Sequence, residues 1–287
     1  MERMPIMDKN KSYQLGLYEK ALPSTLSWEE KLSAAKASGF DYLEISIDET
    51  QDKLSRLDDE HIGEEIQAAI HKTGIPIVSL CLSGHRKYPI GSHDESIQVK
   101  ALEIMEKACI LAVKLGVRYI QLAGYDVYYE QHDESTQISF EKNLKICVAL
   151  ASKHGVILAF ETMETLFMDT VKKAMRYVDQ NNSPYLQVYP DVGNLTNASR
   201  ISKISVEDDL AIGRGHIVAA HLKEIIEGHY RDIPFSTGDT HYKEALRELK
   251  KQGVSLFVGE FWYIGSPTWK DDLIFANDYL RNIIETN

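Results

Sequence analysis

Five times along this chain an amphipathic stretch runs into a glycine and then directly into an apolar run: "AAKASGF", "AIHKTGI", "AVKLGVRY", "ASKHGV" and "ELKKQGV". A glycine in that place lets a helix end in a left-handed turn, because it enters positive φ without a steric cost. The pattern spells helix–turn–strand units, and strands separated by helices pair in parallel. Eight apolar runs fit the strand positions, at 13–19, 41–48, 76–83, 118–125, 156–163, 186–192, 217–224 and 254–261. Segments of helical period follow them, most clearly over 94–115, 135–154 and 269–285.

Eight such units in 287 residues match a (β/α)8 TIM barrel of the α/β class. The competitor is an open doubly wound sheet, which normally carries a glycine-rich phosphate turn after its first strand; "LYEKALPS" has none. No linker or shift of composition divides the chain, so one domain over 1–287 is expected, with 1–12 as a polar N-terminal extension. A net charge of −11 argues against nucleic-acid or anionic-membrane partners, which need a concentrated positive field, but leaves room for a small anionic substrate. Cys81, Cys109 and Cys147 are odd in number and contain no CxxC pair, as expected of reduced thiols. No apolar run resembles a signal peptide or spans a bilayer, so a soluble, cytoplasmic protein is expected.

In such a barrel the chemistry sits at the C-terminal ends of the strands. That rule sends His71, His154 and His216 to the opposite face and leaves His85, His221 and His229 at the top. Applied to the last four strands, it selects Glu161 after "VILAF", Asp191 after "LQVYP", His221 after "IVAA" and Glu260 after "LFVG". Each alone has an ordinary structural explanation: an ion pair, a turn former or a core histidine. Together they are four adjacent strands each delivering one ligand, and an unpaired carboxylate in an apolar run is costly. Three carboxylates and one imidazole suit a single divalent ion such as Mn²⁺, Zn²⁺, Co²⁺ or Mg²⁺.

Such an ion, chelating a carbonyl and its neighbouring hydroxyl, would acidify the proton between them. Glu161 and Glu260, from strands five and eight, could then remove that proton on one side and return it on the other through a metal-held enediolate. The top loops also carry cations suited to an anionic tail: Lys20, His85, Arg86, Lys87, Lys223 and Arg231. Glu44 alternates with Leu43 and Ile45 and so faces the barrel lumen, either orienting a ligand or substrate hydroxyl or forming a structural pair. Asn194, in "DVGN", is placed to touch substrate or the ligand Asp191.

Several long strings then carry a resemblance: "LGLYEKALP" (15–23), "SIDET" (46–50), "LSRLD" (54–58), "CLSGHRKYPIGS" (81–92), "IQLAGYDVYY" (120–129), "YPDVGN" (189–194), "GHIVAAHLK" (215–223) and "PFSTGD" (234–239). Over nearly its whole length the chain resembles the xylose-isomerase-like barrels. Within them it is similar to the L-ribulose-5-phosphate/L-xylulose-5-phosphate 3-epimerases of ascorbate and pentose use, formerly described as hexulose-6-phosphate isomerases. The resemblance implies Glu161, Asp191, His221 and Glu260 as metal ligands, the two glutamates as the acid/base pair, a sugar-phosphate substrate and a homodimer. Two strings depart from the family's pattern: "ETMETLFM" stands where "EIMDYPLM" is usual, and "HLKEIIEG" where "HVKDTKPG" is usual. Three alternatives share the barrel. An aldose–ketose isomerase of a phosphosugar would use the same ligands, a phosphodiesterase would need more metals and a basic groove, and a non-catalytic sugar binder would not need the full ligand set.

Overall fold

A computed structural model of the chain describes residues 12–287; of the expected N-terminal extension over 1–12, all but Ser12 lies outside the described residues. Eight strands form one sheet: β1 (Gln14–Tyr18), β2 (Tyr42–Ile47), β3 (Ile77–Leu82), β4 (Tyr119–Ala123), β5 (Ile157–Glu161), β6 (Leu186–Val188), β7 (Ala220–Leu222) and β8 (Leu256–Gly259). All ladders are parallel, and the order runs β6-β5-β4-β3-β2-β1-β8-β7. The remaining seam, between β6 and β7, is closed by parallel bridges Val188↔Ile217 and Asp191↔His221. The sheet is thus a barrel, as the repeated units require.

The helices are α1 (Trp28–Ala37), α2 (Gln51–Ser55), α3 (Ile62–Thr73), α4 (Glu95–Leu115), α5 (Glu134–His154), α6 (Val171–Asn181), α7 (Val192–Ser202), α8 (Val206–Ile212), α9 (Tyr242–Lys251) and α10 (Trp269–Thr286). The glycines that mark the helix–strand junctions, Gly39, Gly74, Gly116, Gly155 and Gly253, all have positive φ. Among the described residues no helix is long and apolar enough to cross a membrane.

Alternation along each strand sends one set of side chains outward to the helices and the other into the lumen. On β2, Leu43, Ile45 and Ile47 join the large core between sheet and helices, whereas Tyr42 belongs to the lumen cluster with Tyr18, Cys81, Tyr189 and Val258. Each such fully buried Leu or Ile contributes about 1.5–3 kcal/mol over leaving it exposed. Gly16 makes room for one of the lumen rings, since a Cβ there would lie 2.2 Å from the Tyr42 ring. The β2–β3 register shifts between Leu43 and Glu44, so Glu44 enters the lumen at a bulge, a common way to re-aim a side chain.

β6 and β7 are shorter than the runs 186–192 and 217–224 imply. Pro190 has no N–H for a ladder, and Asp191 keeps only an isolated bridge to His221 while its side chain caps α7.

At the top of β1, Glu19 anchors the first two units. Its buried carboxylate accepts bonds from Arg56 (2.9 Å to each oxygen), Lys31 (2.8 Å), Lys53 (2.5 Å) and the Ser46 N–H (2.9 Å). Burial alone would push this carboxyl up, but Arg56, Lys53 and Lys31 outweigh it and hold it well below the usual range. A lowered folded-state value means stability that is complete above the ordinary glutamate range and declines as the pH falls below it. Glu19→Gln leaves three cations around a neutral amide, and is expected to destabilise the chain by about 3–5 kcal/mol near neutral pH, read by urea unfolding. A loss under about 1 kcal/mol would show that the cluster behaves like an exposed ion pair.

Candidate metal centre and active site

Glu161 ends β5, Asp191 caps α7 just beyond β6, His221 is the middle residue of β7 and Glu260 follows β8. Their ligand atoms all lie within 4.8 Å of one another, and all four residues are buried. The strand-end rule therefore chose four side chains that the fold does bring together.

Local structure explains the aim of each. Asp191 Oδ1 accepts the Asn194 N–H at 2.6 Å, which caps α7 and turns Oδ2 into the cluster. Gly193 allows this turn: a Cβ there would lie 2.8 Å from the Lys223 carbonyl and 3.2 Å from Asp191 Oδ1. His221 is fixed from the other side. Its Nε2–H donates to Glu44 Oε1 at 2.6 Å, and Glu44 Oε2 accepts from Ser79 Oγ (2.5 Å) and Tyr189 OH (2.9 Å). That leaves Nδ1 facing Glu260 Oε2 at 3.1 Å, Glu161 Oε1 at 3.6 Å and Asp191 Oδ2 at 4.0 Å. A carboxylate behind a histidine is the usual way to fix its tautomer and aim the other nitrogen at a metal.

The electrostatics are those of a crowded anionic centre. Burial, then the neighbouring Glu260 charge, pushes Glu161 up against the pull of His221, and burial pushes Asp191 well above the carboxylate range despite Lys223. Burial would also raise Glu260, but Lys223 and His221 outweigh it and hold this carboxyl well below its ordinary value. The carboxylates in turn raise His221 and Lys223, although burial acts to lower both. Lys223 Nζ lies 3.3 Å from Asp191 Oδ2 and 3.5 Å from Glu260 Oε2.

The donor set fits a divalent ion. Asp191 Oδ2 is fully buried and points into the cluster with no hydrogen bond, and the Lys223 ammonium at 3.3 Å is one charge against three clustered carboxylates, so the centre has room for a further cation. Three carboxylate oxygens and one imidazole nitrogen are a donor set that can hold one divalent ion.

Above the cluster opens a small mouth, to which Glu161 and Glu260 contribute while Asp191 and His221 lie beneath it. Of the expected substrate contacts, Arg86, Asn194, Lys223 and Arg231 line this mouth, as does Lys20, which pairs with Asp48 at 2.6 Å. Arg86 stacks over the Tyr128 ring at 4.7 Å with its Nε unbonded, and Arg231 stacks over Trp262 at 5.3 Å. Asn194 donates to the Thr162 carbonyl at 2.8 Å and keeps its own Oδ1 unpaired. Glu44 lies below, holding His221 rather than facing the mouth.

His85, expected among the substrate contacts, does not reach the mouth. Residues 84–86 form a single 3-10 turn after β3, which sends Arg86 to the mouth and His85 back under α4. There its Nε2 lies 3.0 Å from the Ala101 carbonyl, and burial pushes its pKa down to about 4, so it packs as a neutral core histidine. Lys87 likewise does not line the mouth. Residue type and strand position did not single out Gln121, whose amide nitrogen lies 3.1 Å from His221 Nε2, or the mouth residues Glu164, Tyr230 and Trp262. For Gln121 a signal existed: it is a lone polar residue on the inward face of "YIQLA".

The xylose isomerase-like TIM barrel family model matches residues 32–281. The chain is 42% identical over 276 residues to the L-ribulose-5-phosphate 3-epimerase UlaE of Escherichia coli O1:K1 / APEC, covering 95% of each chain. It is 41% identical over 276 residues to the L-ribulose-5-phosphate 3-epimerase UlaE of Salmonella heidelberg strain SL476, again covering 95% of each. A D-allulose 3-epimerase from Methylomonas sp., solved in complex with D-allulose, shares the fold at a TM-score of 0.76 and 17% identity, with 96% of this chain and 97% of that one covered.

Proposed function

The chain belongs to the xylose isomerase-like TIM barrel family and, within it, to the L-ribulose-5-phosphate 3-epimerases, and from that membership we propose that it is a sugar-phosphate epimerase interconverting L-ribulose 5-phosphate and L-xylulose 5-phosphate. The observation that carries the mechanism is that two of the four clustered ligands, Glu161 and Glu260, also line the mouth, and they come from β5 and β8. Epimerisation needs a proton taken from one face of a carbon and one delivered to the other. Two glutamates on separate strands supply that pair.

Glu161, Asp191, His221 and Glu260 would hold one divalent ion, Zn²⁺ or Mn²⁺ in preference to Mg²⁺ or Co²⁺, which when bound would polarise the ketone and stabilise charge developing on its oxygen. With the C3 carbon between Glu161 and Glu260, one carboxylate takes the proton and the other, protonated, returns one to the opposite face. Lys223, beside Asp191 and Glu260, adds a positive charge next to the developing enediolate oxygens. Asn194 Oδ1, buried and unpaired, accepts from a sugar hydroxyl. Arg86 and Arg231, each stacked on an aromatic ring at the mouth, receive the phosphate, since a guanidinium fork matches its oxygens.

The test is turnover of L-ribulose 5-phosphate in D2O with Mn²⁺ or Zn²⁺ present. The expected product is L-xylulose 5-phosphate labelled at C3. Absence of interconversion sinks the substrate assignment, and label confined to C1 would make the enzyme an aldose–ketose isomerase.

A further inference from the structure

The segment between β7 and α9 folds around one buried carboxylate that the chemistry above does not use. Glu224 is 3% exposed, and among the described residues no lysine, arginine or histidine pairs with it. Its two oxygens accept backbone N–H groups instead, Ser236 at 3.1 Å on Oε2 and Thr240 at 3.2 Å on Oε1. Thr240 Oγ1 closes the base of the loop by accepting the Ile225 N–H at 3.0 Å and donating to the Lys223 carbonyl at 3.0 Å. Gly238 lets the strands of the loop touch, since a Cβ there would lie 2.2 Å from the Ile225 carbonyl and 2.7 Å from Glu224 Oε1.

Such a carboxylate is costly to bury, and bonds from amides are what offset it. The loop it holds is strained: Asp232 and Ser236 sit in the left-handed region at φ 60° and 71°, and Ser236 is one of the two residues whose N–H Glu224 binds. From this loop Tyr230 and Arg231 reach the mouth, where Arg231 stacks on Trp262.

We propose that Glu224 is a positioning residue: by holding the Ser236 and Thr240 amides it fixes the 225–241 loop in the shape that brings Arg231 and Tyr230 to the mouth, and so sets substrate affinity without touching substrate. The affinity part rests on the sugar-phosphate reading, whereas the loop part does not.

Hydrogen exchange over residues 225–241 tests the loop directly. Glu224→Ala is expected to speed exchange at the Ser236 and Thr240 amides by about tenfold or more, and unchanged exchange overturns the proposal even if the enzyme acts on some other sugar. With L-ribulose 5-phosphate, Glu224→Ala is expected to raise KM about tenfold while kcat stays within about threefold. The Glu224→Ala/Arg231→Ala pair should then raise KM by clearly less than the product of the two single effects. An unchanged KM, a loss confined to kcat, or additive effects in the double variant would each contradict the positioning role. Should Glu224→Ala not fold, Glu224→Gln keeps one acceptor and turns an NH2 toward the other amide. It is expected to raise KM at least about threefold and to speed exchange at one of the two amides, and no change in either overturns the proposal.

Discussion

Glu260→Gln is expected to lower turnover by about 10³-fold or more while leaving the fold intact. The amide keeps the size of the side chain and a carbonyl oxygen for ligation, but it neither accepts nor returns a proton. Lys223 keeps Asp191 as a partner at 3.3 Å, so no buried cation is stranded. Glu161→Gln is expected to be equally inactive, yet the two variants should differ in one respect. Each retains one working base, so each should exchange the C3 hydrogen of one epimer with solvent and leave the other epimer untouched. Complementary exchange of that kind is the signature of two bases on opposite faces. Turnover within about tenfold of the unaltered enzyme for either variant would remove that glutamate from proton transfer.

Stripping divalent ions with a chelator is expected to abolish turnover, by about 100-fold at the least, with recovery on adding Zn²⁺ or Mn²⁺ back. Without an ion, Glu161, Asp191 and Glu260 share a volume only 4.8 Å across, and their nearest cations are Lys223 and His221. Burial first, then mutual repulsion, raises Glu161 and Asp191, while the surrounding carboxylates raise His221 against its burial. Ligands whose values are raised in the ion-free state must give up protons to bind. Uptake should therefore release protons, and ion affinity should fall as the pH is lowered. Full turnover in chelator at neutral pH would contradict this reading of the cluster.

Much of this was legible because barrel geometry turns chain position into spatial position. Glycine-ended helices fixed the junctions, and each of the eight expected runs contains one of the eight observed strands. Knowing which strand ends face the same side was enough to gather Glu161, Asp191, His221 and Glu260 from a stretch of 100 residues. What stayed hidden depends on the direction of a side chain after its strand ends. His85 and Arg86 are neighbours at the top of β3, yet a single 3-10 turn sends one under α4 and the other to the mouth, and no periodicity encodes that. Glu44 was legible as facing the lumen, but its partner His221 lies 177 residues away, a pairing that only barrel closure creates. Glu224 was hidden for a related reason. Its partners are backbone amides of a loop, which have no residue identity to read.

The most direct measurement is a metal titration of the stripped enzyme, following bound ion and recovered turnover together. The expected result is that both rise in parallel and level off at about one ion per chain, as a single four-ligand site requires, and that Asp191→Asn shows neither. Full turnover before any ion is bound, or an Asp191→Asn enzyme that takes up its ion and works normally, would contradict the assignment of Glu161, Asp191, His221 and Glu260 as the catalytic metal site.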